Sequence, residues 1–259
     1  MTMLDRDGTA LYHEDTGSLD PTLLFVHGWS CDHTYFAPQV EHFAHRHRVV
    51  TVDLRGHGRS DAPEQAYTAE VFADDLAWLC EQLAITQPVV VGHSMGCVVA
   101  LELADRHPGL PSALVLVDPP PVMTKPPELR ALLAGLVEGV GGEDHRTVRQ
   151  AMIDGMFLLT SDPALKARVT SEMLQTPQHV AASAIDAALS WEGEAVLQAL
   201  TVPTLFIGAD RPSNDATVLR ALNASITTGQ TVGAGHFNQL EAPEQVNAMI
   251  ERFLASLAR

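Results

Sequence analysis

Four short runs of the chain are apolar almost without interruption, and stretches of helical character separate them. They are TLLFVHG at residues 22–28, RVVTVDLRG at 48–56, PVVVGHS at 88–94 and ALVLVD at 113–118. A strand that is Val- and Leu-rich on both alternations must be covered on both faces. That situation arises when strands lie parallel and their crossover helices pack above and below the sheet. The intervening segments fit. Residues 69–84 place Val71, Leu76, Leu79 and Leu83 at amphipathic helical spacing, and residues 95–107 form a more apolar helix stopped by Pro108 and Gly109. The chain is therefore of the α/β class.

The rhythm breaks at PPPVMTKPP, residues 119–127, where proline removes both helical and strand hydrogen bonding. From about 128 to 198 the pattern is helical throughout, rich in Ala, Leu and Met, with breaks near Gly141-Gly142, Pro163 and Pro177. Strand character then resumes at 202–210 and near 225–232, with helices expected near 215–222 and 243–257. The expected organisation is one core formed by residues 1–118 and 199–259, interrupted by a helical cap at 119–198.

Composition narrows the function classes. Hydrophobic residues make up 46% of the 259, enough for one large core. The 16 Lys and Arg face 32 Asp and Glu, a formal net charge of -16 that repels phosphate backbones and anionic membrane surfaces, so no nucleic acid is expected as partner. No apolar stretch is long enough to span a bilayer, and MTMLDRDGTA lacks the build of a signal peptide. The three cysteines, Cys31, Cys80 and Cys97, follow no C-x-x-C spacing, which fits a reducing, cytoplasmic setting. His42, His45 and His47 lie close in sequence but lack metal-ligand spacing, so no metal is expected.

The chemistry concentrates at Gly92-His93-Ser94-Met95-Gly96, a G-x-S-x-G sequence set between an expected strand and an expected helix. A sharp strand-to-helix turn lifts the serine hydroxyl to the carboxyl edge of the sheet, near the positive end of the following helix. Serine is a weak nucleophile at neutral pH and needs a base, for which histidine is suited. His236 is the candidate, in a Gly-Ala-Gly-His loop after the last strand. His27 and His93 read as buried, hydrogen-bonded supports, and Cys31 and Cys97 as packing residues.

In these motifs the chain resembles the α/β-hydrolase family over nearly its full length. FVHGW at 25–29 is similar to that family's oxyanion loop, DLRGHGRSD at 53–61 to its D-x-R-G-x-G-x-S loop, and GAGHFNQLEAPE at 233–244 to its catalytic-histidine segment. The resemblance implies a mostly parallel eight-stranded sheet with helices on both faces and a helical cap. It implies Ser94 as nucleophile, His236 as base, the peptide N–H groups of Trp29 and Met95 as oxyanion donors, and no cofactor.

Two positions are open for the acid that orients the base. Asp118 ends the strand after the nucleophile helix, and Asp210 ends the first strand after the cap, where most relatives carry it. The Gly208-Ala209-Asp210 turn is one residue tighter than the common G-x-x-D form. Met123, Met152, Met156, Phe157, Leu158, Met173 and Trp191 are the apolar cap candidates for a substrate pocket. The implied reaction is acyl-enzyme hydrolysis of a carboxylic ester or lactone, with an apolar acyl or aromatic ester as the small-molecule substrate. Carbon–carbon bond hydrolysis and perhydrolysis use the same triad, and a non-catalytic ligand receptor is the alternative from outside enzymology.

Overall fold

The computed structural model describes residues 2–257. Its centre is one sheet of eight strands in the order β1-β2-β4-β3-β5-β6-β7-β8. The strands are β1 (Thr2–Arg6), β2 (Thr9–Thr16), β3 (Leu23–Val26), β4 (Val49–Val52), β5 (Val89–His93), β6 (Ala113–Val117), β7 (Thr204–Gly208) and β8 (Ile226–Gln230). From β4 to β8 every pairing is parallel, while β1 with β2 and β2 with β4 are antiparallel. The mostly parallel eight-stranded sheet expected from the resemblance is thus the one observed.

The β1–β2 hairpin was not among the strands read from the chain. It carries a local signal all the same, because Asp7-Gly8 sits between the two strands with φ of 53° and 82°. Asp-Gly with both residues at positive φ is the tight-hairpin combination, and its flanks lack the continuous apolar run that marks the central strands. Elsewhere the strands are shorter than their apolar runs, because the last residues of each run turn away to build loops at the carboxyl edge.

The continuous apolar runs divide by the strand period of two into two cores. Leu24, Val26, Val90, Leu114 and Leu116 face one layer, and Leu23, Phe25, Val89, Val91, Val115 and Val117 face the other. On the first face lie α2 (Ala69–Gln82) and α3 (Met95–Arg106), with Phe72, Leu76, Leu79, Val99 and Leu103 buried. Val71 and Leu83 are only half-buried, so the inward stripe of α2 is Phe72, Ala73, Leu76, Leu79 and Cys80. The second face is covered through Phe43 of α1 (Ala37–Phe43) and through Val246, Ile250 and Phe253 of a C-terminal helix at Pro243–Leu257.

Between β6 and β7 the described chain forms five helices and no strand: α4 (Pro127–Gly141), α5 (His145–Gly155), α6 (Pro163–Met173), α7 (Gln178–Ser190) and α8 (Glu194–Ala199). The two stems of this insertion are tied together. The Gly193 N–H donates to the Val122 carbonyl at 2.9 Å, Thr124 Oγ1 to Glu194 at 2.7 Å, and Lys125 Nζ to the Trp191 carbonyl at 2.5 Å. The Asn214 side chain accepts from Val122 N–H and donates to the carbonyls of Pro119 and Pro120, anchoring the proline segment to the core. After β7 come α9 (Ala216–Leu222), β8, the short α10 (Asn238–Glu241) and the C-terminal α11. No helix among the described residues is long and apolar enough to cross a membrane.

Candidate active site

Ser94 sits where β5 passes into α3, with φ of 51° and ψ of -118°. A non-glycine residue held there costs on the order of 1–3 kcal/mol, which the surrounding packing must offset. The flanking glycines make the turn possible. A Cβ on Gly92 would lie 2.3 Å from the Gly96 carbonyl oxygen, and one on Gly96 would lie 2.1 Å from the Val26 carbonyl oxygen. Either side chain would push strand and helix apart. Below the turn, Cys97 directs Sγ at the carbonyls of Gly92 and Val117, and burial pushes its thiol well above the usual range. Cys97 is packing, as expected of it.

His236 is brought to the same edge by the loop after β8. Its Nδ1 lies 2.6 Å from Asp118 Oδ2, and the other Asp118 oxygen accepts from the Ala209 N–H at 2.9 Å. Asp118 itself has φ of 43°, a second non-glycine residue at positive φ on this edge. Asp210, the alternative acid, accepts instead from the Gly233 N–H at 3.2 Å. The tight turn after β7 aims Asp210 at the base of the histidine loop, while the carboxylate that meets the imidazole comes from the neighbouring strand.

Two buried histidines hold the neighbouring loops. His93 is buried, and burial followed by the proximity of His236 pushes it well below the ordinary imidazole range. It stays neutral and meets the His236 carbonyl through Nε2 at 2.9 Å. His27 accepts from the Leu54 N–H at Nε2, 3.0 Å, so its Nδ1 carries the proton and donates to the Gly28 carbonyl at 2.7 Å.

Met95 is the first residue of α3 and Trp29 follows Gly28 in the loop after β3. Neither peptide N–H has an acceptor among the described residues. Two backbone donors near a serine hydroxyl, one at a helix N-terminus, are the arrangement that stabilises a developing oxyanion. The Trp29 indole N–H donates to the Ala181 carbonyl of α7 at 2.8 Å, so the loop is held from the insertion side.

Ser94, His236, Asp118 and Trp29 all border one cavity of about 320 Å³. The helical insertion supplies much of its wall. Met152, Met156, Phe157, Leu158 and Met173 line it, but Met123 and Trp191 do not. Contrary to the expectation from sequence, those two lie outside the lining. The Trp191 indole N–H is committed to Glu102 of α3 at 2.9 Å, and Met123 packs in the tied stem. Leu133, Leu136, Ile185, Ala188 and Leu189 extend the apolar wall and were missed, although the i, i+3, i+4 spacing of the last three marks an inward face of α7. Pro120 and Pro121, read as linker, also line the cavity.

A second group, Asp32, His33 and Asp53, brings potential ligand atoms within 4.8 Å of one another. Both Asp53 oxygens and one Asp32 oxygen are occupied by the loop itself. Asp53 accepts from the N–H groups of His33 and Arg59 and from His33 Nδ1, and Asp32 caps Thr34. This cluster holds the turn after β4. The histidines of residues 42–47 diverge, His42 to Glu251 and His47 to the Pro21 carbonyl.

A family model described as alpha/beta hydrolase fold matches residues 21–243. The 2-(acetamidomethylene)succinate hydrolase of Mesorhizobium japonicum is 38% identical over 98 residues, covering 38% of this chain and 35% of that protein. The non-heme chloroperoxidase of Streptomyces lividans is 38% identical over 128 residues, 48% of this chain and 46% of that protein. The matched part of the chain thus spans less than half the length of either curated relative. A solved thermophilic esterase from Thermogutta terrifontis superposes with a TM-score of 0.85 at 27% identity, over 99% of this chain and 97% of that one.

Proposed function

The chain belongs to the α/β-hydrolase fold family, and on that premise we propose that it is a serine hydrolase cleaving a carboxylic ester or lactone through an acyl-enzyme on Ser94. One observation carries the reading: a serine at φ of 51° shares a cavity with a histidine whose Nδ1 is 2.6 Å from a buried carboxylate. In the proposed cycle the His236 Nε2 lone pair takes the Ser94 proton as Oγ attacks the substrate carbonyl. Asp118 holds the tautomer that leaves this lone pair free and stabilises the imidazolium that forms. The peptide N–H groups of Trp29 and Met95 receive the negative charge on the carbonyl oxygen. His236 then gives its proton to the departing alkoxide; water, deprotonated by the same histidine, attacks the acyl-enzyme, and His236 returns that proton to Ser94 Oγ as the acid leaves.

The cavity walls suit an apolar acyl chain or an aromatic ester, and the three described cysteines, all unpaired, fit a reducing compartment. The test combines a fluorophosphonate probe with a panel of p-nitrophenyl esters and lactones of rising size. Labelling that disappears in Ser94→Ala, with turnover of at least one ester class, supports the proposal. An unlabelled wild-type protein would overturn it.

The similarity to a non-heme chloroperoxidase favours one second reading, perhydrolysis, in which hydrogen peroxide replaces water at the acyl-enzyme. Peracid formation from an acetate ester and peroxide, lost in Ser94→Ala, separates it from simple hydrolysis.

A further inference from the structure

The polar side chains bordering the cavity divide into two sets. His93, Ser94, Asp118 and His236 belong to the proposed chemistry, and Arg211 and Ser213 do not. Both of the latter lie on the loop after β7, just beyond Ala209, whose N–H holds the Asp118 carboxylate. Arg211 is exposed at the cavity's edge and has no hydrogen-bond or ion-pair partner among the described residues.

Among the described arginines, Arg146 and Arg252 alone share that isolation. Acidic residues outnumber basic ones two to one, and Arg6, Arg46, Arg48, Arg55, Arg106 and Arg130 are all paired with carboxylates. Among the described residues the only acid bordering the cavity is Asp118, and its two oxygens are committed to His236 and to the Ala209 N–H. The neighbouring Asp210 accepts from the Gly233 N–H. A planar guanidinium with its fork of donors unused, on a loop that also brings the Ser213 hydroxyl to the cavity, is suited to receiving a carboxylate in bidentate fashion. The rest of the wall is apolar, so one anionic group would be held at the edge and the uncharged body of the substrate inside.

We propose that the cavity takes a monoanionic ester or lactone whose carboxylate is received by Arg211, with the Ser213 hydroxyl beside it, on the wall that also carries the triad acid. This assignment rests on the ester- or lactone-cleaving reading and sharpens its substrate class. Recognition by Arg211 also offsets the general repulsion that a chain of net charge -16 exerts on an anion, so it should weaken with salt.

The experiment compares matched acid and methyl ester pairs. 4-Acetoxybenzoate against methyl 4-acetoxybenzoate places the charge on the alcohol side, and mono-p-nitrophenyl glutarate against its methyl ester places it on the acyl side. For one pair, the ratio of kcat/KM, acid over methyl ester, is expected to fall about tenfold in Arg211→Gln, chiefly through KM, with partial recovery in Arg211→Lys. Ratios unchanged by Arg211→Gln in both pairs would overturn the proposal while leaving the hydrolase reading intact. If fluorophosphonate fails to label Ser94, the hydrolase reading falls separately. Calorimetric titration of Ser94→Ala protein with the same compounds then decides: tighter binding of an acid than of its methyl ester, lost on Arg211→Gln, supports the site, and equal binding rejects it.

Discussion

The main-chain N–H of His236 donates to the carbonyl of Met156 at 2.8 Å, joining the proposed base to the end of an inserted helix. With Trp29 tied to Ala181 of α7, the insertion grips two of the segments on which the proposed chemistry depends. Its position therefore sets the geometry of the proposed base and of the proposed oxyanion loop as well as the shape of the pocket.

Gly235 tests this link. A Cβ there would lie 2.6 Å from the Met156 carbonyl oxygen and 2.9 Å from Glu241 Oε1, which accepts from the Gly235 N–H. Gly235→Ala must push the histidine loop away from the insertion, and displacements near 1 Å at reacting groups cost about 100-fold in rate. The expected result is a kcat reduced roughly 10- to 100-fold with a small change in Tm. Wild-type kcat in a folded variant would show that the loop tolerates movement.

The two aspartates at the sheet edge give opposite expectations. Asp118→Asn removes the carboxylate that fixes the His236 tautomer and should lower kcat by about 10⁴-fold. Asp210→Asn keeps an oxygen to accept from Gly233 and should stay within about tenfold of wild type, because the imidazole hydrogen bond is elsewhere. Steady-state kinetics on whichever ester is turned over decides, and comparable losses in both variants would contradict the assignment.

Arg149 is a buried cation in α5 whose guanidinium donates to the carbonyls of Met173 and Thr176, where α6 ends. It also lies 5.9 Å from the centre of the Trp29 ring. Arg149→Met fills similar space but strips both carbonyls of their donor, at a cost of roughly 1–3 kcal/mol for each buried group left unpaired. A lower Tm, read by differential scanning calorimetry, is the expected outcome; an unchanged Tm would mean that water replaces the guanidinium.

Acid lability follows from the buried histidines. Burial, reinforced by the neighbouring His27, lowers His57 to about 3, and burial likewise lowers His27 and His93. These groups stay neutral in the folded chain but take up protons in the unfolded one as pH falls below about 6.5. Unfolding then binds protons, so stability declines from about pH 6.5 downward, by about 1.4 kcal/mol per pH unit for each such histidine. For His57 the decline ends near pH 3. Chemical denaturation between pH 5 and 8 should show this slope, reduced by about one proton in His57→Asn; a flat profile would exclude neutral burial.

Several local features were legible because they depend on residues adjacent in sequence. The strand–turn–helix around Ser94 is written into Gly92 and Gly96, the parallel sheet into runs apolar on both alternations, and the break before the insertion into five prolines. The insertion's helix boundaries near Gly141, Pro163 and Pro177 are likewise local events. The pocket wall was not legible at that range. Met152 and Met156 face the cavity while Met123 and Trp191 do not, a distinction made by how the inserted helices dock and by the pull of Glu102 on the Trp191 indole.

The sequence by itself therefore determined the sheet, the turn that presents Ser94 and the loop that carries His236, since short-range sterics and hydrophobic period fix such elements. Tertiary structure alone decided which carboxylate meets the imidazole. Asp118 and Asp210 end adjacent strands, and the outcome hangs on a backbone at φ of 43° and on the hydrogen bonds from Ala209 and Gly233, contacts between segments far apart in the chain.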